Sequence, residues 1–247
     1  MKISVIMQVY LGEYPNARSN AQQKFVRAVH SFLSQTHPNK ELVIVADGCP
    51  IARRIYELVY SSNALIKFVW VEPDPDRRQK MYTSVNGRRY YRGEPRGIGL
   101  KHATGDIVCY MDSDDIILPN YLFSLNAYWT DLPPEIEYAS NMLRILNLKY
   151  LAADIKDHKG VYTNQNMDLS VYGIHEDFFV NICARPTQVH CAAYSLSHRR
   201  AVKAQWKDTI GTNEDVDFQS ELAKFHKGTR LHIPGYVVCH YSNLWDV

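Results

Sequence analysis

The chain has 247 residues, of which 46% are apolar and 22% are charged. These proportions are ordinary for a globular protein and exclude a disordered, collagen-like or coiled-coil chain as the main state. A chain of this length can bury a large core without disulfides, and its formal net charge of +2 indicates no class of partner.

The cysteines and the N-terminus bear on the compartment. The five cysteines are far apart and include no C-x-x-C pair, so we expect neither a disulfide framework nor a structural zinc site. The first apolar run, Ile3–Val9, is too short for a signal sequence, and no stretch approaches the roughly 20 apolar residues of a membrane span. We therefore expect a cytoplasmic protein without a transmembrane anchor.

Strand and helix patterns alternate along the first half of the chain. Short apolar runs predict strands, and apolar residues three or four positions apart predict helices. Strands are predicted at 3–9, 41–46, 67–71 and 107–111, and helices at 21–33, 51–60 and 96–103. Nearly continuous apolar strands between helices indicate a doubly wound α/β unit over roughly residues 1–130, with a mostly parallel sheet covered on both faces. Such sheets bind ligands at the carboxyl ends of their strands.

The second half has a weaker pattern. Helices are predicted at 119–129, 199–206 and 215–225, a strand at 189–194, and a bent strand or strand pair at 231–241. Residues 138–150 fit either a strand or a helix, and the polar stretch 150–187 is predicted to be mostly loop. Because no linker or repeat separates the two halves, we predict one domain over residues 1–247.

An acidic motif, D-S-D-D at residues 112–115, follows the fourth strand of the first half. Carboxylates two positions apart on a turn can converge on one ligand, and Mg²⁺ or Mn²⁺ is commonly bound by one or two carboxylates together with substrate phosphates. A bound cation neutralises charge on a departing diphosphate. The alternative for this motif is a solvated turn that caps the following helix.

Two motifs near the C-terminus carry further candidates. Glu214, Asp215 and Asp217 open the last predicted helix, so they serve either as capping carboxylates or as the source of a general base for an acceptor hydroxyl. His240 ends the apolar run 237–239 and is either a hydrogen-bonded structural residue or a metal ligand beside Asp114.

A basic segment, residues 77–96, carries seven cationic side chains and one acid, Glu94. Without this segment, the rest of the chain has a formal charge of −4. Cations alternate with tyrosines in it, which suits phosphate contacts and base stacking. The alternative is a solvated loop in which one or two arginines contact a donor diphosphate. The cationic residues are Arg77, Arg78, Lys80, Arg88, Arg89, Arg92 and Arg96.

Five segments in this order resemble the inverting glycosyltransferases of family 2, which have the GT-A fold. Residues 2–10 (KISVIMQVY) resemble the opening strand of the family, and S-F-L-S-Q-T at 31–36, running to A-D-G at 46–48, resembles its first helix and second strand. Residues 95–106 (PRGIGLKHATGD) resemble the segment A-R-N-x-G-I-x-x-A-x-G-[DE]. The motifs at 112–115 and 213–217 resemble the D-x-D-D strand end and the E-D-x-D helix start.

The resemblance implies that a hexosyl or pentosyl group moves from a nucleoside-diphosphate sugar, most often a UDP-sugar, with Mn²⁺ or Mg²⁺ as cofactor. Residues 1–130 would form the nucleotide-sugar-binding half, and 131–247 the less regular half with the acceptor site and the base. By position, the residues implied to bind the nucleotide sugar are Gln8, Tyr10, Asp47, Arg96, Asp112 and Ser113. Asp114 and His240 would hold the metal, and Asp215 would be the catalytic base with Glu214 beside it.

Two positions depart from the family pattern. Ala46 replaces the first of two acids after the second strand, and Gly97 replaces the Asn of A-R-N, which leaves the identity of the nucleotide and the sugar open. We expect a saccharide acceptor. A nucleic-acid acceptor, such as hydroxylated bases of phage-type DNA contacted by Arg88, Arg89 and Arg92, is the alternative. A nucleotidyltransferase and an inactive nucleotide-sugar-binding module are the remaining ones.

Overall fold

The structure is a computed structural model of the chain. The described residues are 1–12, 20–76, 79, 90–91, 93–147, 161–164, 170, 178–182, 194–197, 203–210 and 214–239. Several predicted residues lie outside them, namely His240 and all cations of the basic segment except Arg96.

The described residues form fourteen strands and five α-helices. The strands are β1 (Ile3–Val9), β2 (Lys40–Asp47), β3 (Ile66–Val71), β4 (Tyr90–Tyr91), β5 (Ile107–Asp112), β6 (Ile116–Ile117), β7 (Tyr138–Asn141), β8 (Leu143–Asn147), β9 (Val161–Asn164), β10 (Phe178–Ile182), β11 (Tyr194–Ser197), β12 (Thr209–Ile210), β13 (Gly228–Leu231) and β14 (Tyr236–Val238). The helices are α1 (Ala21–Leu33), α2 (Pro50–Ile55), α3 (Glu94–His102), α4 (Tyr121–Asp131) and α5 (Glu214–Phe225), and a π-helical turn, Tyr56–Tyr60, continues α2. None of these helices is long and apolar enough to cross a membrane.

A seven-stranded sheet lies at the centre, with the strand order β13-β7-β11-β5-β1-β2-β3. The four strands of the first half pair in parallel, and β11 is antiparallel to both β5 and β7. Phe25 and Phe32 of α1 join the core on one face, and Tyr110 and Phe218 join the core on the other. The predicted α/β architecture, with a mostly parallel sheet covered on both faces, is confirmed.

The register of the parallel strands brings the predicted motifs to one edge of this sheet. Gln8 of β1 lies opposite Asp112 of β5, and Val9 lies opposite Ala46 of β2. Asp47 follows Ala46 and ends β2. The carboxyl ends of three neighbouring strands therefore carry Gln8, Asp47 and Asp112 side by side.

A second sheet has the order β6-β14-β8-β10-β9 and lies beyond the acidic motif. Strand β6 starts one residue after Asp115 and pairs with β14, the strand that leads to His240. This pairing joins the segment after the acidic motif to the segment before His240, although Tyr236 comes 119 positions after Ile117 in the sequence.

The described residues of the second half contain more strands than the sequence predicted. Residues 138–147 contain two strands, which decides between strand and helix there, and the stretch 150–187 contains β9 and β10 rather than loop alone. Strand β11 starts at Tyr194, where the predicted strand 189–194 ends, and residues 203–206 are not helical. These short strands are stabilised by pairing with β5, β7 and β8, which are distant in sequence. Their own residues therefore show no clear local periodicity from which they could be predicted.

Glu41 forms a hydrogen-bond network at the amino-terminal end of the parallel strands, opposite the acidic motif. Its carboxylate accepts hydrogen bonds from Lys2 Nζ at 2.7 Å, Ser4 Oγ at 2.5 Å and the backbone N–H of Thr104 at 2.6 Å. Burial by itself would raise the pKa of Glu41, but these hydrogen bonds lower it to about 2. The network fixes the residues that follow α3 against β1 and β2.

Replacing Glu41 with Gln should lower the free energy of unfolding at neutral pH by roughly 2 kcal/mol, because hydrogen bonds to the charged carboxylate are lost. The folded-state pKa of about 2 lies below the ordinary value of 4.5, so this stabilisation is present above the ordinary value and is lost as the pH falls towards 2. Urea denaturation of the wild type and the Glu41→Gln variant at several pH values should show that their difference in free energy of unfolding decreases as the pH falls. The exposed control Glu57→Gln should change stability by less than about 0.5 kcal/mol, and a difference independent of pH would contradict the assignment.

Candidate functional site

The acidic motif forms a compact carboxylate cluster at the carboxyl end of β5. Asp112, Asp114 and Asp115 each offer an oxygen, and these oxygens all lie within 4.8 Å of one another. Asp112 and Asp114 are half-buried, whereas Asp115 is fully buried. A set of carboxylate oxygens at this spacing fits a hard divalent cation such as Mg²⁺ or Mn²⁺.

Asp115 has a structural part in this cluster. One of its oxygens accepts a hydrogen bond from the hydroxyl of Tyr236 at 2.7 Å, and the other accepts one from the backbone N–H of Cys239 at 2.8 Å. The Tyr236 hydroxyl in turn accepts a hydrogen bond from the backbone N–H of Asp112 at 3.2 Å. Asp115 thus fixes the residue just before His240 beside the cluster, and Asp112 and Asp114 are the carboxylates better suited to a cation.

Arg96 of α3 links the carboxylate cluster to the start of α5. Its Nη2 lies 2.8 Å from Oδ1 of Asp112, and its Nη1 pairs with Oε1 of Glu214. The arginine side chain is only 5% exposed, so both ion pairs are shielded from water. Arg96 therefore joins two acidic motifs that are about a hundred residues apart in the chain.

Glu214 and Asp215 stand together at the first turn of α5. Burial raises the pKa of Glu214, Arg96 acts in the opposite direction, and Asp215 raises that pKa further. The Asp215 carboxylate is half-buried and accepts a hydrogen bond from the backbone N–H of Val216 at 2.8 Å. Both carboxylates lie at the N-terminus of α5, the end of a helix at which acidic side chains are favoured.

The segment 203–210 packs against Arg96 and α5 through the side chain of Trp206. The ring of Trp206 stacks on Phe218 of α5 with centroids 4.0 Å apart, and its Nε1 donates to the Tyr110 hydroxyl at 2.9 Å. The Arg96 guanidinium lies 5.2 Å from the centroid of the Trp206 ring. Our sequence analysis missed this tryptophan, because nothing in its neighbourhood along the chain indicates what it packs against.

The same segment caps α3. Asp208 Oδ1 accepts hydrogen bonds from the backbone N–H groups of Gly93 and Glu94, both at 3.1 Å. The backbones are close enough that a Cβ on Gly93 would lie 2.4 Å from the carbonyl oxygen of Lys207. This contact fixes the start of the helix that carries Arg96.

The remaining predicted residues line the same edge of the sheet. Gln8 and Tyr10 are half-buried at the end of β1, Ser113 is half-buried in the acidic turn, and Asp47 is buried at the end of β2. A tight turn follows Asp47, in which Gly48 has a φ of 53° that favours glycine. The predicted contacts of Arg88, Arg89, Arg92 and His240 lie outside the described residues.

Comparisons with known proteins agree with this geometry. The family model for glycosyl transferase family 2 matches residues 83–181, which include α3, the acidic motif and the first strands of the second sheet. This part of the chain therefore matches glycosyl transferase family 2. An uncharacterized glycosyltransferase of Nostoc is 30% identical over 122 residues, which cover 49% of this chain and 31% of the relative. One of Haemophilus influenzae is 30% identical over 115 residues, covering 47% of this chain and 37% of the relative. The matched region thus spans about a third of each of these relatives.

Two solved structures share the fold over nearly the whole chain. TarS of S. aureus in complex with UDP-GlcNAc matches with a TM-score of 0.61 and 17% identity, over 96% of this chain and 58% of that one. The mannosyltransferase PcManGT of Pyrobaculum calidifontis, in complex with GDP-Man and Mn²⁺, matches with a TM-score of 0.54 and 12% identity, over 99% of this chain and 59% of that one. At these identities the likeness establishes the GT-A fold.

Replacing Arg96 with Met should lower the free energy of unfolding by roughly 3 kcal/mol, because it leaves Asp112 and Glu214 without their shared buried cation. The matched control is Lys207→Met, which removes a cation from the exposed Lys207–Glu221 pair and should cost less than about 1 kcal/mol. Guanidinium denaturation at neutral pH measures both variants. An equal, small loss in the two would show that Arg96 does not hold the site together.

Proposed function

We propose that this chain is an inverting, metal-dependent glycosyltransferase of family 2 that moves a sugar from a nucleoside-diphosphate donor, a UDP-sugar, to a hydroxyl of a saccharide. The observation that carries the proposal is the convergence on Arg96 of two acidic motifs at the carboxyl edge of the parallel sheet. One motif has the chemistry for a cation and a diphosphate, and the other has the chemistry for a general base. A nucleotidyltransferase would leave the second motif without a part in the reaction.

Asp215 acts as the base in this mechanism. Its carboxylate takes the proton from the acceptor hydroxyl as the hydroxyl oxygen forms a bond to the anomeric carbon. The bond between that carbon and the diphosphate oxygen breaks on the opposite face, the nucleoside diphosphate leaves with the electron pair, and the anomeric configuration inverts. No covalent intermediate with the protein is required, because positioning and proton removal suffice.

Asp114 and His240 are proposed to hold Mn²⁺ or Mg²⁺, with Asp112 beside them contacting the nucleotide sugar. When bound, the cation supplies positive charge that stabilises the departing diphosphate. The oxygen-rich cluster and the Asp115 contact that leads the chain to His240 support this ligand set. The presence of Mn²⁺ in the complex of the structurally similar PcManGT agrees with it.

The donor pocket is proposed to lie along the ends of β1 and β2. Tyr10 would pack against the base, Asp47 would accept a hydrogen bond from it, and Gln8 and Ser113 would line the nucleotide sugar together with Asp112. TarS, the neighbour with the higher TM-score, binds UDP-GlcNAc, which supports uridine as the base. PcManGT binds GDP-Man, so a guanosine donor is the competing possibility.

Acceptor recognition is proposed to involve the basic segment. Strand β4 lies at its C-terminal end and pairs with β12, which comes four residues before Glu214. The end of the segment that includes β4 is therefore joined to the chain that leads to the proposed base, where an acceptor hydroxyl must be held. A saccharide remains our proposal for the acceptor. The density of cations around Arg88, Arg89 and Arg92 is the observation that favours a nucleic-acid acceptor as the second candidate.

Replacing Asp215 with Asn should lower kcat for sugar transfer by roughly 10²- to 10⁴-fold, because the amide cannot accept the acceptor proton. Release of nucleoside diphosphate from the donor measures turnover, and thermal stabilisation by the nucleotide shows that donor binding is retained. Asp217→Asn, in the same helical turn, is the matched control and should retain most of the activity. Near-normal turnover in the Asp215 variant would refute its assignment as the base.

A nucleotide panel tests the donor and the metal together. With Mn²⁺ present, UDP at about 100 times its Kd should raise the melting temperature by roughly 5 °C, and GDP and ADP should have smaller effects. EDTA and the variant Asp114→Asn should each abolish most of this shift, because the cation joins the diphosphate to the protein. A larger shift with GDP would overturn the uridine assignment, and a full shift in EDTA would overturn the metal site.

A further inference from the structure

Arg27 of α1 lies behind the acidic turn and is 7% exposed. Its Nη2 donates a hydrogen bond of 2.9 Å to the backbone carbonyl oxygen of Asp114. Its Nε and Nη1 are also buried but have no hydrogen-bond partner in the described part of the chain. Thus a charged side chain is buried at the site with a single hydrogen bond, and that bond goes to Asp114.

Such an arrangement is not explained by stability. Buried donors are nearly always paired, and an unpaired one lowers the free energy of unfolding. A well-packed apolar side chain of similar length is often as good for stability as a buried charge, or better. A buried guanidinium with two unpaired nitrogens therefore indicates a role in which its one hydrogen bond matters.

The neighbours of Arg27 along the helix show what that role is. Ser31 follows four residues later in α1 and so lies on the same face as Arg27, and Gln35 comes two residues after the end of the helix. Ser31 Oγ accepts a hydrogen bond from the backbone N–H of Ile117 at 3.2 Å, and Gln35 Nε2 donates to the carbonyl oxygens of Ile117 and Leu118 at 3.1 and 2.8 Å. These two residues hold the chain after the acidic turn, and Arg27 extends the same row to the turn itself.

We propose that Arg27 is a positioning residue for Asp114. By fixing the backbone carbonyl of Asp114, it fixes the direction in which the Asp114 carboxylate leaves the turn and presents it to the cation. This role rests on the proposed function, in which Asp114 is a metal ligand. Groups that orient a ligand in this way commonly change metal affinity by 10- to 100-fold when they are removed, on the order seen for second-layer contacts in metalloproteins.

The test uses Arg27→Met, which keeps the apolar stem and removes the hydrogen bond, the charge and both unpaired donors. Mn²⁺ is titrated into the full chain in the presence of UDP, and the EPR signal of the free ion measures binding. We expect the affinity for Mn²⁺ to fall roughly tenfold while the melting temperature stays equal or rises. Loss of a nearby positive charge by itself would favour a cation, so a fall in affinity reports the lost orientation rather than the lost charge.

Ser31→Ala is the matched control, because it removes a buried hydrogen bond to the same segment but not to Asp114. This variant should show the reverse pattern, a lower melting temperature with Mn²⁺ affinity within about twofold of wild type. Wild-type affinity in Arg27→Met would overturn the proposal, as would a loss of affinity that matches a loss of stability in both variants. If wild type binds Mn²⁺ no better than Asp114→Asn, the metal site of the proposed function fails, and the role of Arg27 fails with it.

Discussion

The site depends on one buried arginine with two carboxylate partners. Arg96 pairs with Asp112 at the end of a parallel strand and with Glu214 at the start of the last helix. Taking three charges out of water is costly, so these groups stay buried only while their pairing geometry is kept. The two ion pairs therefore fix the distance between the acidic turn and the start of α5, because both carboxylates contact the same guanidinium group.

The three carboxylates of the acidic motif have different structural partners. Asp112 forms an ion pair with Arg96, and Asp115 accepts hydrogen bonds from the Tyr236 hydroxyl and from the backbone N–H of Cys239. Asp114 has its backbone held by Arg27 and keeps its side chain half-buried at the site. A D-S-D-D motif is thus not three equivalent ligands, and the residues that fix the turn are as important to its chemistry as the carboxylates themselves.

The first half of the fold and the locations of most site residues were predictable, since they depend on local patterns. Buried parallel strands such as β1 and β2 are continuous apolar runs, and their carboxyl ends must share an edge, so Asp47 and Asp112 were expected together. Trp206 and Tyr236 were not predicted, because each acts through partners about a hundred or more residues away. The short strands β9 to β11 were missed or misplaced for the same reason, since their pairing partners, and not their own composition, hold them.

The two-residue pairing of β4 with β12 joins the end of the basic segment to the chain that precedes α5. The base of the proposed reaction sits on a helix that is held by Trp206 and Arg96, and neither belongs to the chain between residues 77 and 89. Tyr90 and Tyr91, which follow that stretch, pair with β12 and not with a strand of the central sheet. We therefore expect sequence changes between residues 77 and 89 to alter recognition of the proposed acceptor while leaving the proposed donor site unchanged.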